Sequence, residues 1–223
     1  MKKVFSIMLT IALLGCFSFN ANGQSDKKYN KTMNKVYKKS TKELKKQGWT
    51  VASTSLTLEA GMMKHIRALK DENNREMVVE VTMCKSMNVC KSNAENNAAS
   101  EYARSVGSYI RGRVVSDIFN NSSADVPEEF DKFYGAYERL LQAELRGELE
   151  LSFAVEKPNG KGKTYRAYFI VNEDKAGRAR LRAMQRAAEE TRLAQQYANQ
   201  VADFVRKGFV YENCSITVLG DGN

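Results

Sequence analysis

The sequence predicts an α+β fold: a small, mainly antiparallel sheet packed by helices, with a long C-terminal helix. Three observations predict it. Apolar and polar residues alternate on both sides of the turn at 158–162 (PNGKG), as in a β-hairpin. Apolar residues recur at three- and four-residue spacing over 93–119 and 127–146, as in amphipathic helices. The helical pattern of 173–207 is uninterrupted and would run for about 52 Å.

Residues 1–23 have the layout of a bacterial secretory signal peptide. Lys2 and Lys3 precede a charge-free apolar run, and Ala21 and Gly23 are small residues at the −3 and −1 positions of a cleavage site. We therefore expect an exported protein, in the periplasm or associated with the outer membrane. A second interpretation stays open, because residues 13–16 (LLGC) are close to a lipobox and lipidation of Cys16 would anchor the chain. Cleavage after Gly23 is favoured.

The next segment, 24–47, predicts a basic helix that ends at Gly48. The chain has a net charge of +9, and nine lysines fall in this segment against two acids, so the rest of the mature chain is nearly neutral. With the lysines on about three sides and a weak apolar stripe, the helix is suited to an anionic membrane surface or an envelope protein. A solvated helix is the alternative. The lysines are Lys27, Lys28, Lys31, Lys35, Lys38, Lys39, Lys42, Lys45 and Lys46.

Residues 48–172 predict the α+β core. A short strand at 49–54 precedes a helix that starts near Leu58, and the β-branched run 77–83 predicts a second strand. The helices over 93–119 and 127–146 and the hairpin 149–171 complete the core, with the helices covering one side of the sheet.

The cysteines indicate an oxidising compartment. Cys84 and Cys90 are separated by a short loop and are able to pair there, which leaves Cys214 as a buried thiol or an alternative partner. Three cysteines and one distant histidine do not have the spacing of a zinc site, so no metal is expected.

The C-terminal helix, in the segment 173–209, carries a seam of mostly small residues at heptad spacing, followed by a short strand and tail at 210–223. Such a seam allows close approach of a second helix, so we expect self-association through residues 173–207. The seam consists of Met184, Ala187, Thr191, Ala194, Ala198, Val201 and Val205.

No residue set predicts catalysis or a cofactor. His65, the single histidine, has no nucleophile pattern around it and is expected to be a surface or half-buried structural residue. The Gly-Lys-Gly-Lys run at 160–163 lies between two strands, so it predicts a hairpin tip and not a phosphate loop. The carboxylate pairs are expected to be solvated; they are Glu128 with Glu129, Glu148 with Glu150, and Glu189 with Glu190.

Aromatic residues at helical spacing in the two central helices have two interpretations. Stripes of this kind are usually core, but tyrosine hydroxyls are also able to face a polar ligand. The set consists of Tyr102, Tyr109, Phe119, Phe130, Phe133, Tyr134 and Tyr137.

Three short sequence segments resemble those of a known family: Asn-Asn-Ala-Ala-Ser-Glu-Tyr-Ala at 96–103, Glu-Leu-Arg-Gly at 144–147 and Tyr-Phe-Ile-Val at 168–171. Over most of residues 48–209 the chain resembles an uncharacterised family of secreted proteins from Gram-negative gut anaerobes. Over about 90–172 it is more distantly similar to outer-membrane lipoproteins of the LPP-twenty type, which are lipidated at a mature N-terminal cysteine. The resemblance implies an α+β cell-envelope protein with a non-enzymatic role.

The function expected from the sequence is therefore a non-catalytic cell-envelope protein that acts through surface or helix-mediated interaction. The alternative is a small-molecule-binding module with a pocket between sheet and helices. Nucleic acid is not an expected partner, because the chain carries an export signal and its basic segment contains no arginine.

Overall fold

The computed structural model describes residues 26–52, 56–117, 128–192, 195–206 and 216–219. The predicted leader with Cys16, and also Phe119, Ala194 and Cys214, lie outside the described residues. Within them the fold is α+β, as the sequence predicts.

The described residues form six helices and five strands. The helices are α1 (Asp26–Lys46), α2 (Leu58–Ala68), α3 (Met87–Asp117), α4 (Glu128–Leu145), α5 (Glu173–Thr191) and α6 (Gln195–Arg206). The strands are β1 (Thr50–Val51), β2 (Asn74–Cys84), β3 (Leu149–Asn159), β4 (Gly162–Asn172) and β5 (Ile216–Leu219).

The strands form one sheet in the order β1-β3-β4-β2-β5. β3 and β4 are the predicted hairpin, and Gly160 at its tip has the positive φ of 58° that favours glycine in a tight turn. β1 pairs antiparallel with β3, with Thr50 opposite Glu156. β5, the predicted C-terminal strand, pairs parallel with β2.

The chain divides into two compact units, and each unit is built from segments that alternate along the sequence. The first contains the described residues of Met1–Ala94, Glu150–Ile170 and Tyr211–Asn223; the second contains those of Glu95–Leu149 and Val171–Val210. The predicted core at 48–172 is therefore shared between both units.

The core of the first unit lies between α1, α2 and the sheet. Leu44 of α1 and Met62 of α2 are buried together with Phe153 of β3 and Tyr168 of β4, whose rings stack with centroids 4.2 Å apart. A Cβ on Gly61 would lie 3.3 Å from Phe153, so the glycine in α2 allows that helix to approach β3 closely. Thr57 caps α2 by accepting a hydrogen bond from the amide of Ala60.

The core of the second unit is helical. α4 packs on α5, and α5 packs on α6. α4 contributes buried aromatic residues, and α5 faces them with a stripe of alanines whose small side chains allow close packing. The buried residues are Phe130, Phe133, Tyr134, Tyr137, Ala176, Ala179, Ala183 and Ala187.

The prediction of one uninterrupted helix over 173–207 is corrected by the structure. Arg192 follows α5 with φ 55° and ψ 36°, a left-handed conformation that ends the helix, and α6 begins at Gln195. The seam residues Met184, Ala187 and Val201 are buried against the chain itself. Self-association through 173–207 therefore has no support from an exposed seam and stays a sequence prediction.

None of the described helices combines the length and apolar character that crossing a membrane requires.

Candidate functional site

The lysines of α1 lie on one face of the helix. At about 100° per residue, positions 35, 38, 39, 42, 45 and 46 fall within an arc of about 120°. All six side chains are exposed. By the same spacing, positions 27, 28 and 31 belong to this arc. The six described lysine side chains therefore share one cationic face, which we call the lysine face, where the sequence predicts lysines on about three sides of the helix.

The described apolar side chains of α1 pack against the protein's own core. Leu44 is only 3% exposed, and Val36 and Tyr37 pack partly buried against the same core of the first unit. The core thus fixes the orientation of α1, and the lysine face is directed to solvent.

Among the described lysines of this face, Lys45 is the one with an ion-pair partner. Its ammonium group donates a hydrogen bond to Glu59 of α2, and this bond holds the pKa of the Glu59 carboxyl below its ordinary value. Both side chains are substantially exposed, so the pair contributes little to stability. The carboxylate nevertheless offsets one positive charge at the C-terminal end of the face.

Trp49 lies three residues after the end of α1, is only 2% exposed and contacts several polar groups. Its indole Nε1 donates to Gln47 Oε1 at 3.1 Å. The Arg166 guanidinium and the Lys157 ammonium lie 4.3 and 4.4 Å from the ring centroid, within the range of cation–π attraction. Arg166 is in turn fixed by Glu80, whose Oε2 accepts from Nε at 2.9 Å and from Nη2 at 2.7 Å.

A groove of about 410 Å³ opens beside Trp49. It is open to solvent, its apolar lining residues Trp49 and Leu58 are only 2% and 6% exposed, and its rim includes the Lys45–Glu59 pair. The lining residues are Lys45, Gly48, Trp49, Thr50, Val51, Leu58 and Glu59.

His65 is more buried than the sequence predicts. It is 1% exposed, and its ring meets those of Phe153 and Tyr168 edge-on, each at 5.5 Å between centroids. Nε2 lies 2.7 Å from Glu76 Oε1, and Nδ1 is buried without a hydrogen-bond partner. A proton acceptor enclosed in this way has no access to a substrate, which agrees with a structural role.

Arg180 is a second ionisable side chain in the interior, 4% exposed in the second unit. Its Nη1 donates to Tyr102 Oη and to Glu173 Oε2, the latter at 2.9 Å. Burial lowers the pKa of Arg180, but Tyr102 and Glu173 outweigh this effect and the net shift is upward. Buried polar atoms of Arg180 (Nε), Glu173 (Oε1) and Tyr137 (Oη) lack hydrogen-bond partners.

The carboxylate pairs do not converge on a cleft. Glu128, Glu129, Glu150 and Glu189 are exposed. Glu148 lies 3.4 Å from Arg182, and Glu190 pairs with Arg139. These acids form surface ion pairs or are solvated, as the sequence predicts.

The aromatic set mostly forms the helical core. Phe130, Phe133 and Tyr137 are completely buried, whereas Tyr109 is 37% exposed. Burial raises the pKa of the Tyr137 hydroxyl far above its ordinary value. The stripe at helical spacing is therefore core, which the sequence favours.

Cys84 and Cys90 form a disulfide, with their Cα atoms 5.7 Å apart. It links the end of β2 to the first turn of α3 within the first unit. Over the residues that the structure describes, no group of three or more histidine, cysteine or acidic side chains is placed to hold a metal ion.

Comparisons with protein families, curated proteins and solved structures found no match. The site is therefore defined by its own geometry: a lysine face oriented by a buried apolar side, and a groove at its C-terminal end.

Two features of the structure are not among the sequence predictions, although the sequence contains a signal for each. The single lysine face follows from the spacing of three, four and seven residues between the lysines, which a helical projection makes visible. Arg180 falls within the stripe of Ala176, Ala179 and Ala183, so its position on the helix predicts burial despite its charge. The groove has no sequence signal, because its walls come from segments that only the fold brings together.

Proposed function

We propose that this chain is a non-catalytic protein of the cell envelope that binds an anionic membrane surface through the lysine face of α1. One observation carries the proposal: six exposed lysine side chains share an arc of about 120°, on a helix whose described apolar residues Val36, Tyr37 and Leu44 pack against the protein's own core. We expect this face to lie outside the cytoplasm, because the sequence predicts an export signal.

The charge arrangement is strong enough for surface binding. Each lysine near an anionic bilayer contributes about 1 kcal/mol, and the contribution falls off within a Debye length of about 8–10 Å at physiological salt. A single face allows several lysines to approach the surface together, whereas lysines around the helix would not. Lys35, Lys38, Lys39, Lys42 and Lys46 have no carboxylate partner among the described side chains, so their charge is available.

The mode of binding follows from the buried apolar side. An amphipathic helix that inserts into a bilayer uses its apolar face, but Val36, Tyr37 and Leu44 already pack inside the first unit. Binding is therefore peripheral and electrostatic, and it weakens steeply as salt is added.

A non-catalytic role is supported by the state of the ionisable residues in the interior. His65 and Arg180 are enclosed, with 1% and 4% of their surface exposed, and the acids predicted to be solvated lie apart on the surface. This agrees with the role that the family resemblance implies.

Vesicle co-sedimentation tests the proposal. The purified protein is mixed with phosphatidylcholine vesicles with and without phosphatidylglycerol, over a series of salt concentrations. We expect binding only to the anionic vesicles and loss of binding at high salt. The triple variant Lys38→Gln, Lys42→Gln, Lys46→Gln should bind at least tenfold more weakly, since about 1 kcal/mol is removed per lysine.

A matched control removes the same charge elsewhere. Lys64, Lys161 and Lys175 are exposed and lie outside α1, so their triple change to glutamine leaves the lysine face intact. Its affinity should stay within about threefold of the wild type. Equal losses in both variants would show that net charge alone drives binding and would contradict a role of the lysine face. Absence of binding to anionic vesicles would contradict the proposal itself.

A further inference from the structure

A buried cluster of polar side chains surrounds Arg180 in the second unit. Arg180 Nη1 donates to Tyr102 Oη of α3 and to Glu173 Oε2 at the start of α5, the latter at 2.9 Å. Tyr137 of α4 is completely buried, and its hydroxyl is close enough to the Arg180 guanidinium to interact with it electrostatically. We call these four side chains the arginine cluster. It brings polar groups from three helices together inside one unit.

Three atoms of the arginine cluster have no hydrogen-bond partner in the part of the chain that the structure describes. They are Arg180 Nε, Glu173 Oε1 and Tyr137 Oη, and all three are buried. A buried polar atom without a hydrogen bond is destabilising, and more so when it belongs to a charged group. Folded proteins therefore satisfy nearly all such atoms, either with protein groups or with ordered water.

The geometry of the ion pair explains why two of these atoms are left over. Arg180 contacts both Tyr102 and Glu173 through Nη1, and Glu173 accepts through Oε2. A bidentate arginine–carboxylate pair would use two nitrogens and both oxygens. One guanidinium nitrogen and one carboxylate oxygen therefore need a further partner within the same cluster.

The three atoms are chemically complementary to a water molecule. Arg180 Nε is a donor, the ionised Glu173 Oε1 is an acceptor, and the Tyr137 hydroxyl is able to act as either. A water that accepts from Nε, donates to Oε1 and bonds the hydroxyl makes the three hydrogen bonds that are typical of an internal water. An ion is a poorer match, because the guanidinium and the carboxylate already balance each other in charge.

We propose that the arginine cluster binds one internal water molecule, which bridges Arg180 Nε, Glu173 Oε1 and Tyr137 Oη. The inference is independent of the proposed membrane binding, because all of these residues lie in the second unit. The water completes the buried ion pair. It also adds directional hydrogen bonds between α4 and α5, whose facing surfaces are otherwise the aromatic residues and the alanine stripe.

A crystal structure of the purified protein, at a resolution of about 1.8 Å or better, tests the site directly. We expect one well-ordered water at hydrogen-bond distance, about 2.7–3.2 Å, from each of the three atoms. Absence of electron density for this water would overturn the proposal. A direct hydrogen bond from Arg180 Nε to Glu173 Oε1 would overturn it as well, since the two atoms would then satisfy each other.

Tyr137→Phe keeps the buried ring and removes one of the three partners of the water. In the crystal structure of this variant, the occupancy of the water should be at least about twofold lower than in the wild type. Tyr134→Phe is the matched control, because it makes the same change on the same helix one turn away. It should leave the water unchanged, and full occupancy in Tyr137→Phe would contradict a water held by three groups.

Oxygen-17 magnetic relaxation dispersion tests the site in solution, because its amplitude reports the number of long-lived internal waters. In the double variant Arg180→Met, Glu173→Gln, the amplitude should fall by the contribution of about one water. Arg186→Met, Glu144→Gln removes a pair of the same chemistry in which the arginine is 59% exposed, and should leave the amplitude unchanged. Circular dichroism establishes that both variants are folded. Equal amplitudes in the wild type and the Arg180 variant would overturn the proposal.

Discussion

Arg180 Nη1 donates to Glu173 Oε2 at 2.9 Å in the interior of the second unit, where the two side chains are 5% and 15% exposed. An ion pair in the core is stabilising only while both partners are present, because each charge has lost its hydration. Arg182 and Arg186 on the same helix both contact Glu144, but their side chains are 45% and 59% exposed. Arginine–glutamate pairs on the same helix are therefore expected to contribute very differently to the free energy of unfolding.

Arg180→Met should lower the free energy of unfolding by about 3–5 kcal/mol, because it leaves the Glu173 carboxylate uncompensated in the core. Urea unfolding followed by circular dichroism measures the change. Arg186→Met is the matched control and should cost less than about 1 kcal/mol. Adding Glu173→Gln to Arg180→Met should recover part of the loss. Similar losses for the two arginine variants would contradict the assignment of a buried pair.

His65→Ala should also be destabilising, by about 2–4 kcal/mol, since it removes a buried ring and the partner of Glu76. Lys64→Ala, one residue earlier on the exposed side of α2, should stay within about 0.5 kcal/mol of the wild type. Thermal unfolding of both variants compares them directly. A neutral effect of His65→Ala would mean that the ring does not support the core of the first unit.

The two glycines of α3 offer a matched pair. Around Gly112 no atom lies within 4 Å of a built Cβ, so Gly112→Ala should stabilise by about 0.5–1 kcal/mol through reduced freedom of the unfolded chain. A Cβ at Gly107 would come within 2.8 Å of Glu138 Cγ on α4. Gly107→Ala should therefore lose this gain or destabilise. Unfolding midpoints in urea compare the stabilities of the two variants. An equal gain in stability at both positions would contradict the close approach of Glu138.

Much of the fold is predictable from the sequence because local patterns determine it. The hairpin follows from strict alternation around a turn with glycine, and α4 follows from a broad aromatic stripe. The break after α5 is different: Arg192 takes a left-handed conformation that usually belongs to glycine, so no residue type marks it. Packing of α5 on α6 accompanies this conformation, and packing is not visible in a local pattern.

The candidate site is predictable only in part. The concentration of lysines in one segment is visible in the composition, and their single face is visible in the spacing. The orientation of that face requires the core contacts of Leu44, and the groove requires Trp49, Val51 and Leu58 to meet. Such contacts join residues that are distant in sequence, and periodicity does not specify them.

Two glutamates on α4 should respond to pH in opposite ways. Hydrogen bonding to Arg182 is the largest effect on Glu144 and holds its pKa below the ordinary value; Arg186 adds to this. Burial raises the pKa of Glu138, although Arg104 and Arg111 partly offset it. Ionised Glu144 therefore stabilises the fold above the pKa of the unfolded chain, and this contribution is lost as the pH falls through its folded pKa. For Glu138 the favourable range lies below the unfolded pKa, and stability is lost as the pH rises.

Replacing each residue by glutamine tests this difference. Glu144→Gln should be destabilising at neutral pH and should approach the wild type only as the pH falls through the lowered pKa of folded Glu144, where the wild-type carboxyl becomes protonated. Glu138→Gln should be stabilising at neutral pH and should lose its advantage at a higher pH than Glu144→Gln changes, as the pH falls from the raised pKa of folded Glu138 to that of the unfolded chain. Urea midpoints measured between about pH 3 and pH 7 give both profiles, in which each residue is the control for the other. Two profiles of the same sign would contradict the opposite environments that Arg182 and burial create on one helix.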